Sequence, residues 1–333
     1  MSNYIEDMRD GLRQEIGFAE QQAVIHVEGL KHTYDGKNFA LKGVGFDVRK
    51  GEVFGLLGKN GAGKSTLIKI LTTLIRRTEG SVSILGMDPL KEGYKIRKRI
   101  GVVQQDESFD FSTVQGNFDI YGMLWSVPNP ERTKRREDLI KKFGLEEIRK
   151  KRAFDLSGGQ KRRVQVAREM MHEVDILFLD EPTVGLDVIM RRQLLDLIRE
   201  DVRNGLTVVF TTHNLEEADY LCDRVAVIDE GRILIMDTVD NLKRLYKGKK
   251  TIEVTVDSGG AGQFYDRLVP ALGPVATFRK AKESGIILTD NPKETLALIL
   301  SLAKETGAQI EWLNVRKDTL EDVFIDSVSK EAA

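Results

Sequence analysis

The segment best suited to chemistry lies at 58–65 and reads Gly-Lys-Asn-Gly-Ala-Gly-Lys-Ser. It matches G-x-x-x-x-G-K-[ST] and stands between an apolar stretch at 53–57, predicted as a buried strand, and a predicted helix at 65–74. Glycines let a backbone wrap phosphate groups with its N–H groups, and the helix start adds a partial positive charge. Lys64 is placed to reach the β- and γ-phosphates of a nucleotide, and Ser65 to hold Mg²⁺.

Two adjacent acids, Asp180 and Glu181, follow a second apolar stretch at 176–179. In an α/β sheet such a strand end, beside the phosphate loop, is a place where ligands bind. Asp180 suits Mg²⁺, directly or through water, and Glu181 suits the general base that activates an attacking water. Acids at a strand end are often only helix caps or surface charges, but the phosphate loop upstream favours the catalytic interpretation.

The sequence Leu-Ser-Gly-Gly-Gln at 156–160 begins a second helical segment. A hydroxyl and two glycines before a helix make a second anion site. With this signature, the stretch 24–242 resembles the nucleotide-binding domains of ABC transporters. The resemblance implies an α/β P-loop NTPase core of ABC type that binds and hydrolyses ATP with Mg²⁺. It also implies that two subunits, identical or homologous, pack head-to-tail so that each signature caps the ATP on the other's phosphate loop.

The resemblance also assigns functions to individual residues. The implied nucleotide-binding residues are Tyr34, Gly58, Asn60, Gly61, Ala62, Gly63, Lys64, Ser65, Thr66, Ser157, Gly158, Gly159 and Gln160. The implied catalytic residues are Lys64, Gln105, Glu181 and His213, and the implied metal ligands are Ser65, Gln105 and Asp180.

Some of these assignments have alternatives. Tyr34 resembles the aromatic residue that stacks on adenine, although a lone tyrosine is more often partly buried core. Gln105 is chosen over the adjacent Gln104 by its spacing from the segment 100–101. His213 would contact the γ-phosphate and hold the attacking water, and Asp187, in a segment resembling the D-loop, shapes the seam between subunits.

The predicted elements divide the chain into regions. Apolar strands at 53–57, 176–179, 207–211 and 225–228 alternate with helices, which indicates a largely parallel sheet. Between 105 and 156 the strands give way to amphipathic helices at 114–124 and 132–143, so a helical subdomain is expected at about 106–170. The predicted organisation is a polar extension at 1–22, a nucleotide-binding domain at 23–245 and a small domain at 251–333.

The small domain shows the order strand, helix, strand, strand, helix, strand between 251 and 315, which predicts a ferredoxin-like α+β fold. A final helix is predicted from Thr319. The segment 319–325 resembles the ending of ATPase subunits from drug-resistance and ABC-2 type exporters, which favours export through a separate membrane permease. This domain is interpreted as a dimer-stabilising or regulatory appendage, with ligand sensing as the alternative.

Composition restricts the possible partners. The 333 residues carry 51 Lys and Arg against 52 Asp and Glu, so the net charge of -1 does not favour nucleic acid as a partner. Cys222 is the one cysteine, which fits a reducing compartment. We expect a cytoplasmic protein on the inner face of the cell membrane, because neither a signal peptide nor an apolar stretch of roughly 18 residues is evident.

Three other classes compete with this interpretation. A non-transport ABC-type ATPase acting in translation or on DNA is the main alternative, but such proteins carry two cassettes or a long coiled coil between phosphate loop and signature. A P-loop GTPase or kinase would lack the segment 156–160. An inactive binding module would be expected to lose Lys64 or Glu181, and both are present.

Overall fold

The computed structural model describes residues 23–106, 109, 111–245, 250–257, 259–273, 276–281 and 284–316. These residues form two compact units, the first ending at Asp237 and the second beginning at Thr238. The predicted extension at 1–22 and the predicted helix from Thr319 lie outside the described residues. Within the described part of the chain, none of the helices combines the length and the apolar character needed to cross a membrane.

The elements up to the unit boundary are as follows. The strands are β1 (Ala23–Thr33), β2 (Phe39–Arg49), β3 (Val53–Leu57), β4 (Glu79–Ile84), β5 (Ile100–Val103), β6 (Ile176–Asp180), β7 (Thr207–Thr212), β8 (Arg224–Asp229) and β9 (Arg232–Thr238). The helices are α1 (Lys64–Leu71), α2 (Pro89–Arg97), α3 (Val114–Leu124), α4 (Asn129–Lys142), α5 (Gly158–Glu169), α6 (Val188–Arg203) and α7 (Leu215–Leu221).

The larger sheet has six strands in the order β5-β6-β7-β3-β8-β9. The pairs β5–β6, β6–β7, β7–β3 and β3–β8 are parallel, which confirms the predicted parallel sheet. Every residue of β3, β6 and β7 is buried, as expected for strands covered on both faces. Helix α1 ends at Leu71 rather than at the predicted 74.

A second sheet in this unit is antiparallel, with three strands in the order β2-β1-β4. The prediction of one largely parallel sheet was therefore incomplete. It missed β4, whose first three residues are exposed and polar or glycine, so that no apolar alternation marks its start.

The two sheets share one apolar core with α1. Phe46 of β2 stacks on Phe54 of β3 with ring centroids 5.0 Å apart, and Leu41 of β2 and Leu67 of α1 belong to the same buried cluster. Each such side chain contributes roughly 1.5–3 kcal/mol when it is buried. This packing fixes the segment between β3 and α1, which carries the phosphate-loop motif.

The predicted helical insertion is present as α3, α4 and α5, with short 3₁₀ turns at Glu146–Ile148 and Ala153–Asp155. The Thr113 hydroxyl caps α3 by accepting the Gly116 N–H at 3.1 Å. Basic side chains here are paired: Arg136 lies 2.6 Å from Asp119, and Arg149 lies 2.7 Å from Glu137.

The first helix of the second unit is α8 (Val239–Leu245), and strands and helices follow it in the order strand, helix, strand, strand, helix, strand. Its other elements are β10 (Lys250–Val256), α9 (Ala261–Leu272), β11 (Ala276–Ala281), β12 (Ser284–Thr289), α10 (Pro292–Thr306) and β13 (Ile310–Arg316). The sheet order is β11-β12-β10-β13 with antiparallel neighbours, so β12 lies between the two strands joined by α9. This is the ferredoxin-like split βαβ arrangement, and it confirms the predicted fold of this unit.

Two buried ionisable groups lie where the end of α5 packs on β5. The Glu169 carboxylate accepts the Val102 N–H at 3.4 Å, and burial raises its pKa to about 7. His172 stacks on Trp125 at 4.4 Å with its Nε2 lying 3.1 Å from the Ile100 carbonyl oxygen, and burial lowers its pKa to about 4.

These shifts predict opposite pH effects on stability. Because the pKa of the Glu169 carboxyl is raised, this group stabilises the fold at pH values below its ordinary pKa of 4.5. This contribution is lost as the pH rises through about 7. Because the pKa of His172 is lowered, this group stabilises the fold at pH values above its ordinary pKa of 6.5. This contribution is lost as the pH falls from 6.5 towards about 4.

When the pH is lowered from about 7.5 to about 5, we therefore expect the melting temperature of His172→Gln to fall less than that of the wild type. The melting temperature of Glu169→Gln should fall more than that of the wild type. Thermal unfolding of both variants beside the wild type at several pH values measures this. Shifts of the same sign in the two variants would contradict the assignment.

Candidate active site

The parallel register brings four strand ends together at one edge of the larger sheet. Leu57 of β3 pairs with Thr212 of β7, and Thr211 of β7 pairs with Asp180 of β6. Strand β5 adjoins β6 on the other side. The segments that follow these strands therefore leave the sheet at the same edge, and they carry the predicted residues Gly58–Thr66, Gln105, Glu181 and His213. Strand β7 lies between β6 and the phosphate-loop strand, yet Glu181 still reaches the loop, because its carboxylate lies 3.4 Å from the Lys64 ammonium.

Lys64, Glu181 and His213 form one cluster at this edge. The Lys64 ammonium lies 3.4 Å from one Glu181 carboxylate oxygen, and both side chains are less than a tenth exposed. The other carboxylate oxygen lies 3.2 Å from His213 Nδ1, whose ring is about half exposed. A buried carboxylate is thus held between a buried cation and an imidazole that faces solvent. This arrangement can accept a proton from a water molecule delivered from the exposed side.

Glu181 has a strained backbone with φ of 46°, in the left-handed region, which costs about 1–3 kcal/mol for a residue with a side chain. Its N–H donates to Thr211, to the hydroxyl at 2.9 Å and to the carbonyl at 3.2 Å. The same Thr211 hydroxyl donates to Asp180 Oδ1 at 2.6 Å. Thr211 therefore orients both acids, a function that the sequence analysis missed.

The phosphate-loop segment is built to receive an anion. Lys64 donates to the carbonyl oxygens of Gly58 and Lys59 at 2.7 and 3.1 Å, which folds the loop around the ammonium. Gly63 precedes α1 with φ of 109° and provides no side-chain cap, so the first N–H groups of the helix are left for a ligand. A Cβ at Gly63 would stand 2.9 Å from the Ala40 carbonyl oxygen, which excludes other residues.

Most of the remaining loop residues are accessible from solvent. Asn60, Gly61 and Ser65 are exposed, Thr66 is half-buried and Ala62 is buried beneath them. An exposed glycine-rich turn above a buried lysine suits the negative charge of a nucleotide's phosphate groups.

Tyr34 lies over the start of α1. Its hydroxyl is 3.2 Å from the Thr66 hydroxyl, its ring meets His32 edge-on at 4.6 Å, and it is 64% exposed. An exposed ring next to the phosphate loop can stack on a planar base. The alternative of a partly buried core tyrosine does not agree with this exposure.

The signature segment forms the N-terminus of α5. The Ser157 hydroxyl accepts the Gln160 N–H at 3.4 Å, and the Gln160 side chain accepts the Ser157 N–H at 3.2 Å, which is a capping box. Gly158 is exposed, and a Cβ there would meet open space, whereas a Cβ at Gly159 would lie 2.1 Å from the Met190 sulfur of α6. One glycine thus leaves the helix end open, and the next permits close helix packing.

The segment around His213 is joined to its neighbours by Glu217, a buried acid that the sequence analysis also missed. Its Oε2 accepts the hydroxyl groups of Thr183 and Thr212, at 2.7 and 2.8 Å, and Arg191 lies 3.3 Å from its other oxygen.

Two further predicted residues lie in the segments that follow β6 and β5. Asp187 caps α6 by accepting the Met190 N–H at 2.8 Å. Gln105 is exposed in the segment after β5.

Comparison with known proteins agrees with this geometry. The family model described as ABC transporter matches residues 41–184. The daunorubicin resistance ATP-binding protein DrrA3 of Streptomyces coeruleorubidus is 36% identical over 316 residues, covering 93% of this chain and 98% of that protein. The linearmycin resistance ATP-binding protein LnrL of Bacillus subtilis is 35% identical over 306 residues, covering 91% and 97%.

A solved structure matches about two thirds of the chain. It is a dimeric ATP-binding cassette in a post-hydrolysis state with ADP and phosphate bound, with a TM-score of 0.60 and 28% identity over 64% of this chain and 98% of that chain. The comparisons give no support to a non-transport ATPase. This chain therefore belongs to the ABC transporter family, as an ATP-binding and ATP-hydrolysing subunit of the kind found in drug-resistance exporters.

Proposed function

We propose that this chain hydrolyses ATP at the edge of the larger sheet to drive a separate membrane permease. The observation that carries the proposal is the cluster formed by the buried Lys64 and Glu181 with the exposed His213. Lys64 and the loop amides hold the phosphates, Glu181 takes the proton of the attacking water, and His213 orients that water against the γ-phosphate. Gln105 responds to the same phosphate from the end of β5.

The residues present also fit a bound Mg²⁺. The Ser65 hydroxyl, the Gln105 amide oxygen and the Asp180 carboxylate are hard oxygen donors, and Mg²⁺ is commonly bound by one or two carboxylates together with substrate phosphates. Such an ion neutralises charge on the phosphate oxygens. Thr211 holds the Asp180 carboxylate by its 2.6 Å hydrogen bond, which orients this ligand from behind.

We further propose that two copies share each ATP. The loop residues Gly58 to Thr66 of one copy bind the phosphates, and Ser157, Gly158, Gly159 and Gln160 of the other close over them. The exposure of Ser157 and Gly158 at the start of α5 supports this, since a helix N-terminus attracts an anion. A matching cassette that is itself dimeric with ADP and phosphate supports it too.

The helical insertion is the proposed contact with the permease. Phe111 is 95% exposed and Phe154 is 50% exposed, with ring centroids 4.9 Å apart, so the insertion presents an aromatic pair to solvent. Large exposed apolar groups of this kind mark interaction sites. The chain would then lie on the cytoplasmic face of the membrane, and relatives named for drug resistance support export as the direction. The ferredoxin-like unit is proposed to stabilise the dimer or regulate it.

Magnesium dependence tests the metal assignment. Removal of Mg²⁺ by EDTA should abolish hydrolysis, and Asp180→Asn should raise the Mg²⁺ concentration for half-maximal rate by about 10–100-fold. Asp175→Asn is the matched control, because Asp175 precedes the same strand and pairs with Arg99 at 2.7 Å instead. An unchanged Mg²⁺ requirement in Asp180→Asn would remove Asp180 from the site.

A further inference from the structure

Arg162 is a buried cation in the helix that begins with the signature. It lies in α5, two residues beyond Gln160, and only 5% of it is exposed. Burying a guanidinium is costly unless its N–H groups are hydrogen-bonded. Arginine carries five donors in a rigid planar fork, so one side chain can bind several acceptors at once.

One set of acceptors lies in the segment that carries Gln105. Arg162 donates to the Gln104 carbonyl oxygen at 2.7 Å and to that of Gln105 at 3.4 Å. It also donates to the side-chain oxygen of Gln165 at 3.0 Å, and the Gln165 amide donates to the Asp106 carbonyl at 3.3 Å. Helix α5 therefore holds three consecutive carbonyl groups after β5.

The other acceptor belongs to the proposed general base. Arg162 Nη2 donates to the Glu181 carbonyl oxygen at 3.0 Å, in a buried contact. Thr211 holds the N–H side of the same residue, whose backbone is in the left-handed region. Glu181 is thus held from both sides, by a strand on one and by the signature helix on the other.

We propose that Arg162 is a positioning residue that links the signature helix to the Glu181 base and the Gln105 segment. The inference rests on the functions proposed above for Glu181, Gln105 and the signature. The signature of one chain closes over the ATP bound by the partner. Glu181 and Gln105 of that same chain act on the ATP that the chain itself binds. When α5 shifts as the signature closes over the partner's ATP, the Arg162 guanidinium therefore transmits the shift to Glu181 and Gln105, which belong to the second ATP site.

The test compares Arg162→Met, which removes the guanidinium and keeps its bulk, with Arg162→Lys, which keeps charge but not the fork. Arg162→Met should lower kcat by about 10–100-fold with the KM for ATP nearly unchanged, because a small displacement of a catalytic group reduces rate more than binding. Arg162→Lys should recover part of the rate. Arg163→Met is the matched control, since Arg163 is next in the helix and contacts the Phe143 carbonyl instead, at 3.4 Å.

A double variant separates positioning from general damage. If Arg162 acts through the base, Arg162→Met should cost little further rate in a Glu181→Gln background, whereas independent effects would multiply. Full activity of Arg162→Met, an equal loss in Arg163→Met, or multiplying effects would each overturn the proposal. Normal hydrolysis by Glu181→Gln alone would instead reject the proposed base. If Arg162→Met does not fold, Arg162→Lys carries the test, and full activity with unchanged KM would overturn the proposal.

Discussion

Replacing Glu181 by Gln is expected to slow ATP turnover by roughly 10²–10⁴-fold, the usual worth of a general base, while ATP still binds. The amide keeps the size and the hydrogen-bonding shape of the carboxylate but cannot take a proton from water. Its backbone contacts to Thr211 and Arg162 do not depend on the side chain, so the fold of the segment should persist. Steady-state hydrolysis and nucleotide titration of the same protein measure the two effects separately.

Glu230→Gln provides the matched control. Glu230 also has a positive φ, of 43°, but its side chain is 84% exposed and faces Lys42 at 4.0 Å. The same chemical change there should leave hydrolysis close to the wild-type rate. Normal turnover by Glu181→Gln would send the base assignment to another residue.

Lys64→Ala should weaken ATP binding by about two orders of magnitude or more, because charge-assisted hydrogen bonds to phosphate oxygens are each worth about 1.5–3 kcal/mol. The variant also leaves the Glu181 carboxylate without the cation 3.4 Å away, and it removes the donor that closes the loop onto Gly58 and Lys59. A buried charge that loses its partner destabilises the fold. Melting temperature must therefore be recorded together with nucleotide affinity.

The control for that experiment is Lys59→Ala, which removes an exposed lysine from the same loop. Its backbone carbonyl, which accepts from Lys64, is unaffected by the change. Affinity should stay near the wild-type value. Wild-type affinity in Lys64→Ala, with a folded protein, would show that Lys64 does not hold the phosphates.

Much of the site could be predicted because its residues follow strands. The segments 53–57, 176–179 and 207–211 are continuous apolar runs, and parallel strands of one sheet leave it at a common edge. Lys64, Glu181 and His213 therefore meet although they are far apart in the sequence. The ferredoxin-like unit could be predicted for a similar reason, since its elements alternate clearly and the turns between them are short.

The residues that sequence analysis missed act through tertiary contacts. Thr211, Arg162 and Glu217 have no chemistry of their own in the reaction, and their importance lies in which backbone and side-chain groups they reach. A threonine at the end of an apolar strand and an arginine in a helix are ordinary as residue types. The three-stranded sheet was missed for a comparable reason, because the strand β4 has no apolar alternation at its start.

The most direct test of the shared site is the mass of purified Glu181→Gln protein, measured by light scattering with and without MgATP. We predict a monomer without nucleotide and a dimer with it, since slow hydrolysis leaves ATP between the phosphate loop of one copy and the signature of the other. A dimer in both conditions would assign dimerisation to a contact independent of nucleotide. A strict monomer with ATP bound would contradict the shared site, because the signature would then close over no partner's ATP.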